Sequence, residues 1–189
     1  MRKITAFENV SLDGYFAGPN GEIDWFVSSS HGQTEEDKFA VDSLKSTDIL
    51  LFGRITYELM ARYWPTADAM KNSPILAERI NDVPKIVFSR TLNKVGWQNT
   101  TLMKENIVEE IQRMKNQPGK NLAILGSSSI VSAFAQHGLI DEYSIMVNPV
   151  ILGGGRSMFQ GIENRLHLKL IETKTFKSGN VLLHYRFVK

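Results

Sequence analysis

Four apolar residues in a row, Ile49, Leu50, Leu51 and Phe52, stand between Asp48 and Gly53. A run this short, bounded by a charge and a glycine, reads as a strand buried on both faces. Directly after Gly53 come Arg54 and Thr56, then Tyr57, Leu59 and Met60 at helical spacing. A strand that turns through glycine into a helix leaves backbone N–H groups at the helix start without intrahelical partners. Those donors and the helix dipole favour an anion. Arg54 adds a permanent charge with a bidentate fork, and Thr56 adds a hydroxyl. An ordinary β–α turn, with Arg54 solvated and Thr56 serving as a cap, would carry the same local pattern.

The theme returns further along. Residues 84–88 form a second apolar strand candidate that ends in Ser89-Arg90. Ile107, Val108, Ile111 and Met114 are spaced for an amphipathic helix, which Pro118-Gly119 stops. Residues 122–125 form a third buried strand, running into Gly126-Ser127-Ser128-Ser129 and then a helical face of Ile130, Val131, Phe134 and Ala135. Two strand-to-helix turns therefore carry anion-binding chemistry, with Ser89-Arg90 as a third contributor. Brought to one edge of a parallel sheet, they suit a dinucleotide with several phosphates. The spacing matches neither G-x-G-x-x-G nor a P-loop. Residues 143–150 predict another strand, continuing through Ile151-Leu152 to Gly153-Gly154-Gly155. The chain ends on a predicted hairpin, residues 166–176 and 181–188 around Ser178-Gly179-Asn180.

The start of the chain reads as a strand over residues 3–10, a long loop and a helix. Ser11-Leu12-Asp13-Gly14 breaks the strand, and Gly18-Pro19-Asn20-Gly21 is a turn signal. Tyr15, Phe16, Ile23, Trp25 and Phe26 make this loop rich in large apolar groups. Residues 11–26 are therefore read as a mobile cover over a pocket, the plainer option being aromatics that simply shield the core. Thr34 can cap the next helix, with Glu35, Glu36 and Asp37 favourable in its first turn. Phe39, Val41 and Leu44 would give that helix its buried side.

Composition narrows the classes. A chain of 189 residues is most simply one domain. A net charge of +2 without a basic tract gives no reason to invoke nucleic acid. The absence of cysteine excludes disulfides and thiolate chemistry. No apolar run reaches the length of a membrane span, and the first residues go straight into a strand pattern, so the cytoplasm is the expected compartment. The four histidines have no metal-ligand spacing; His31 could sit near a substrate mouth.

Five segments together carry a resemblance: Ser11-Leu12-Asp13-Gly14-Tyr15-Phe16-Ala17-Gly18, Gly53-Arg54-Ile55-Thr56-Tyr57-Glu58, Leu125-Gly126-Ser127-Ser128-Ser129, Leu139-Ile140-Asp141-Glu142, and Asn148-Pro149-Val150-Ile151-Leu152-Gly153-Gly154-Gly155. The chain resembles the dihydrofolate reductase-like superfamily. It is closest to the C-terminal reductase domain of the bifunctional riboflavin-biosynthesis deaminase-reductase and its stand-alone bacterial relatives. The resemblance implies an α/β fold in three layers, with a mixed, mostly parallel sheet of about eight strands. Helices would flank the sheet and an antiparallel hairpin would close the C-terminus. It also implies NADPH as cofactor, lying across the sheet edge. Arg54 and Thr56, after Gly53, would meet the adenosine phosphates. Ser89 and Arg90 would lie beside the adenine ribose and its 2′-phosphate. Gly126, Ser127, Ser128 and Ser129 would cradle the pyrophosphate, and Ala17, Gly18 and Ile23 would line the nicotinamide.

For the substrate side, folate reductases use one acidic residue on the first helix. Glu35 and Glu36, with Asp37 beside them, occupy that region here, and Asp13 and Asp24 compete from the loop. Each could orient a substrate N–H or relay a proton, or serve only as a cap or surface charge. Trp25 and Trp64 could stack on a planar ring or simply pack. The resemblance thus implies an NADPH-dependent reductase acting on a pyrimidine- or pterin-like small molecule, such as 5-amino-6-(5-phosphoribosylamino)uracil. The alternative is an NADP(H)-binding sensor without efficient catalysis. A homodimer is expected, paired near the apolar segment 143–152.

Overall fold

The computed structural model describes residues 1–26 and 34–188; His31 lies outside the described residues. The chain opens with β1 (Ile4–Ser11) and a short β2 (Tyr15–Ala17), followed by α1 (Glu35–Lys45), β3 (Thr47–Gly53) and α2 (Arg54–Tyr63). Next come α3 (Ala67–Asn72), α4 (Pro74–Asp82), β4 (Lys85–Phe88), β5 (Thr100–Met103) and α5 (Ile107–Lys115). β6 (Asn121–Ile124), α6 (Ser128–Gln136), β7 (Glu142–Asn148), β8 (Arg156–Ser157), β9 (Leu168–Thr175) and β10 (Val181–Phe187) complete it.

Eight strands form one sheet in the order β5-β4-β3-β6-β1-β7-β10-β9. All neighbours run parallel except β10, which is antiparallel to both β7 and β9. The predicted C-terminal hairpin is therefore present, and β2 pairs separately with β8.

The apolar run in β3 explains the layering. Leu50, Leu51 and Phe52 are fully buried, each side chain contributing roughly 1.5–3 kcal/mol through burial. Side chains alternate across a strand. Leu51 joins Ile4, Ala6, Ile124 and Phe134 on one face, whereas Leu50 and Phe52 join Tyr57, Leu76, Val87 and Trp97 on the other. Helix α6 covers the first face, and α2 with α4 covers the second. Thr34 caps α1 as expected, its hydroxyl accepting from the Asp37 amide at 2.9 Å.

Segment 143–152 does not offer a free strand edge, because β7 lies between β1 and β10. Exposed apolar side chains instead stand on the outermost strand β9, at Leu168, Leu170 and Ile171. None of the helices among the described residues is long and apolar enough to cross a membrane.

Candidate functional site

Strands β3 and β6 are parallel neighbours, with Leu51 opposite Ile124, so the turns that follow them meet at the same sheet edge. The Gly53 amide donates to the Gly126 carbonyl at 3.1 Å. A Cβ on residue 53 would lie 2.2 Å from Ser127 Oγ and 3.1 Å from its Cβ, so any side chain there would require Ser127 to move. Gly126 has φ +86°, and a Cβ on it would meet Thr56 Oγ1 at 2.7 Å and Phe16 Cζ at 3.3 Å. Each turn thus occupies the space the other leaves empty.

Neither helix is closed by its own cap. Gly53 has no side chain to offer α2, and Ser127 makes no capping bond to α6. Its hydroxyl pairs instead with Ser129 Oγ at 2.7 Å. At α6 the Ile130 amide turns back to the Ser127 carbonyl at 3.0 Å, and no side chain caps the amides before it, so two positive dipole ends converge on one place.

The structure brings Gly53, Thr56, Gly126 and Ser127 into direct contact. Arg54 begins α2 with an exposed side chain, its Nη1 donating to Glu58 Oε2 at 3.0 Å. An exposed (i, i+4) pair of this kind is worth little and exchanges easily for another anion. Ser89-Arg90 follows β4, whose last residue, Phe88, pairs with Gly53. Arg90 is exposed. Ser89 is buried and occupied, its Oγ accepting from the amides of Thr91 at 3.2 Å and Leu92 at 3.0 Å. It caps its own turn, a role that the pattern Ser-x-Thr already suggests.

The loop reaches the turns through Phe16. Ala17 and Gly18 are buried and Ile23 is half-buried. The β2–β8 pairing brings Gly155 so close that a Cβ on it would stand 2.2 Å from the Ala17 carbonyl oxygen. Glu22 organises the tip: its carboxylate accepts from Asn20 Nδ2 at 2.6 Å, and its carbonyl accepts from Trp25 Nε1 at 3.0 Å.

Carboxylates put forward for proton work are engaged in fastening. Asp13 is exposed and accepts from Ser11 Oγ at 2.6 Å, the Gly153 amide at 2.8 Å and the Leu152 amide at 3.2 Å. The Ser11 hydroxyl foremost, with those two amides, holds its carboxyl below the usual range. Glu35 accepts from the Lys177 amide at 3.3 Å, and Glu36 accepts from Ser178 Oγ and Asn180 Nδ2. Both thereby tie α1 to the β9–β10 turn. Trp64 sits at the far end of α2 from Arg54, about 15 Å away at helical rise. Its Nε1 donates to Met60 Sδ at 3.2 Å, and its ring meets Tyr63 edge-on at 5.2 Å. The structure does not bring Trp64 to the glycine turns.

A residue absent from the sequence candidates lies at their centre. Glu8, on β1, is only 3% exposed, and its Oε1 accepts from the Gly126 amide at 2.8 Å. Burial pushes this carboxyl well above the usual range, and the Gly126 bond draws it only partly back. Among the described residues no ion pair joins it to a cation. The signal was available: Ile4, Ala6, Glu8 and Val10 share the buried face of an alternating strand.

A cavity of about 590 Å³ lies elsewhere, lined by Tyr57, Met70, Asn81 and Trp97 among others. Its polar groups satisfy one another, with Trp97 Nε1 donating to Asn81 Oδ1 at 2.7 Å and the Gly96 and Trp97 amides donating to Tyr57 Oη. Beneath it Lys85 Nζ donates to the carbonyls of Asn81 and Val83 and lies 4.5 Å from the Trp97 ring centre; burial lowers its pKa to about 8.

Strand order, the flanking helices and the C-terminal hairpin define a dihydrofolate reductase-like α/β fold. In agreement, the chain matches a dihydrofolate reductase of Enterococcus faecalis, solved with NADP(H), at a TM-score of 0.64 and 15% identity, covering 99% of this chain and 97% of that one. A bifunctional deaminase/5-amino-6-(5-phosphoribosylamino)uracil reductase of Thermotoga maritima gives a TM-score of 0.67 at 17% identity, over 99% of this chain and 57% of that one. A putative riboflavin biosynthesis protein from Shewanella sp. PV-4 gives 0.78 at 25% identity, with 99% of each chain covered. By sequence, the uncharacterized protein YyaP of Bacillus subtilis is 33% identical over 187 residues, 99% of this chain and 96% of YyaP. The RibD C-terminal domain model matches residues 2–182, and the chain belongs to that family.

Proposed function

We propose that this protein is an NADPH-dependent reductase acting on a pyrimidine- or pterin-like small molecule. The observation that carries the proposal is the pair of interlocked glycine turns, where two helix starts without side-chain caps converge at one sheet edge. Their chemistry fits a dinucleotide diphosphate. Amides at the starts of α2 and α6 would hold the pyrophosphate with the hydroxyls of Thr56, Ser127, Ser128 and Ser129. Arg54 would exchange Glu58 for an adenosine phosphate, and Arg90 would meet the 2′-phosphate that separates NADPH from NADH. Bound there, NADPH would supply the hydride. Ala17, Gly18 and Ile23 would line its nicotinamide, with residues 11–26 closing as a cover that excludes water. In this reading Asp13, Glu35 and Glu36 act at one remove: Asp13 fastens the cover, and the two glutamates hold the β9–β10 turn. Trp25, beside the cover's tip, is the aromatic group available to stack on a planar substrate. The reductases named among the structural relatives support the reaction class, and the exposed apolar edge of β9 supports a homodimer.

The test is a fluorescence titration with NADPH followed by a substrate screen over pterins, pyrimidines and ribosylaminouracils. Saturable binding, with loss of NADPH absorbance in the presence of one of these classes, is expected. Binding without oxidation by any of them would instead identify an NADP(H) sensor.

A further inference from the structure

Gly126 is a peptide unit held at both ends. Its carbonyl accepts from the Gly53 amide at 3.1 Å, and its N–H is turned inward to Glu8 Oε1 at 2.8 Å. The inward N–H cannot also face a bound phosphate. What it does instead is orient the turn, so that the next amides, at the start of α6, are the ones presented to the sheet edge. Because Gly126 also meets Thr56 and Gly53, a shift at Glu8 is passed to both helix starts.

The charge on Glu8 matters as much as its position. A carboxylate directly behind the start of α6 would take up the positive end of the dipole that an outside anion needs. Among the described residues nothing in the surroundings neutralises it. The segments of β6 and α6, NLAI and SSIVSAFAQ, hold no ionisable side chain. β2 brings only Tyr15, while Glu142 and Tyr143 of β7 lie opposite Thr5 and Ala6, towards the start of β1. At the start of α2, Arg54 and Glu58 are paired with each other. With no cation at hand among the described residues, a carboxyl almost wholly removed from water keeps its proton to higher pH than an exposed glutamate does.

We infer that Glu8 is a positioning residue for phosphate binding, acting through Gly126 as a hydrogen-bond acceptor. The inference rests on the cofactor site proposed above. Because an ionised Glu8 would oppose an outside anion, phosphate binding should weaken as pH rises and Glu8 loses its proton, and a neutral isostere should remove that loss. Glu8→Gln keeps an acceptor oxygen for the Gly126 amide and carries no charge at any pH; Glu8→Ala removes the acceptor.

The experiment measures affinity for NADPH and for inorganic pyrophosphate, from mildly acidic to alkaline pH, in parent, Glu8→Gln and Glu8→Ala. The Gly126 amide resonance is followed in each ligand-free protein. Glu8→Gln should match the parent at the acidic end of the range, within about twofold, and lack the loss as pH rises. Glu8→Ala should bind about tenfold more weakly throughout, with its circular dichroism unchanged. The parent's Gly126 resonance should titrate with the affinity, and that titration should vanish in Glu8→Gln. Equal affinities in all three proteins, or a Gln variant as weak as the Ala variant at the acidic end of the range, would overturn the inference. If Glu8→Ala does not fold, the Gln variant and the Gly126 titration still decide it. Parent protein that binds pyrophosphate with this pH dependence but ignores NADPH would remove the cofactor reading and leave the Glu8 inference standing.

Discussion

Replacing Glu8 with Gln should make the folded protein progressively more stable than the parent as pH rises. The carboxyl is 3% exposed, and its pKa is raised by burial, with the Gly126 amide opposing. In the unfolded chain a glutamate ionises near pH 4.3. Above that pH the unfolded state loses a proton that the folded state retains. Stability is therefore fully present below the unfolded pKa and lost as pH rises towards the folded one. The slope is about 1.4 kcal/mol per pH unit while the folded carboxyl stays neutral. Gln carries no such penalty. Any packing difference between amide and acid adds a constant offset, so the slope of the difference is the diagnostic quantity. Urea unfolding of both proteins at intervals from pH 4 to pH 8 measures it. Difference curves that stay flat across that range would show that Glu8 ionises as freely in the fold as out of it, refuting the argument from burial.

Three other outcomes follow from the same geometry. Arg54→Ala should weaken NADPH binding by about one to two orders of magnitude, the loss of a charge-assisted contact of roughly 1.5–3 kcal/mol; unchanged affinity in a titration would remove Arg54 from the site. Gly53→Ala places a Cβ 2.2 Å from Ser127 Oγ, and forcing the turns apart should cost about 1–3 kcal/mol in thermal or urea unfolding, so a variant as stable as the parent would contradict the interlock. Sedimentation should show a homodimer at micromolar concentration, and charged substitutions at Leu170 and Ile171 on β9 should dissociate it; a monomeric parent would refute this.

Much of the fold was legible because it follows from local rules. The run ending at Phe52 announced a strand buried on both faces, and Thr34 with three acids after it announced the start of α1. Helix α3 escaped because it has only six residues, and α4 because its buried apolar side is only Leu76, Ala77 and Ile80; Thr66 and the Ser73-Pro74 step were their readable starts. Strand β5 escaped as a four-residue element with no fully buried side chain. The glycine turns were visible as a pattern, but their interlock was not, since it joins residues 53 and 126. The tethering partners of Asp13, Glu35 and Glu36 lie about 140 positions away in sequence, so a carboxylate with a fixed structural partner looked like one free for chemistry. Glu8 was missed for the opposite reason: a charged residue within a strand suggests a solvent-facing position, and only the alternation with Ile4, Ala6 and Val10 contradicts that.

The most direct test is amide hydrogen exchange with and without saturating NADPH. Protection should appear at residues 54–57 and 127–130, the two helix starts, while the amides of Gly96 and Trp97 beside the separate cavity stay unchanged. Protection confined to that cavity, or no protection at either helix start, would contradict the proposal that the interlocked turns hold the cofactor.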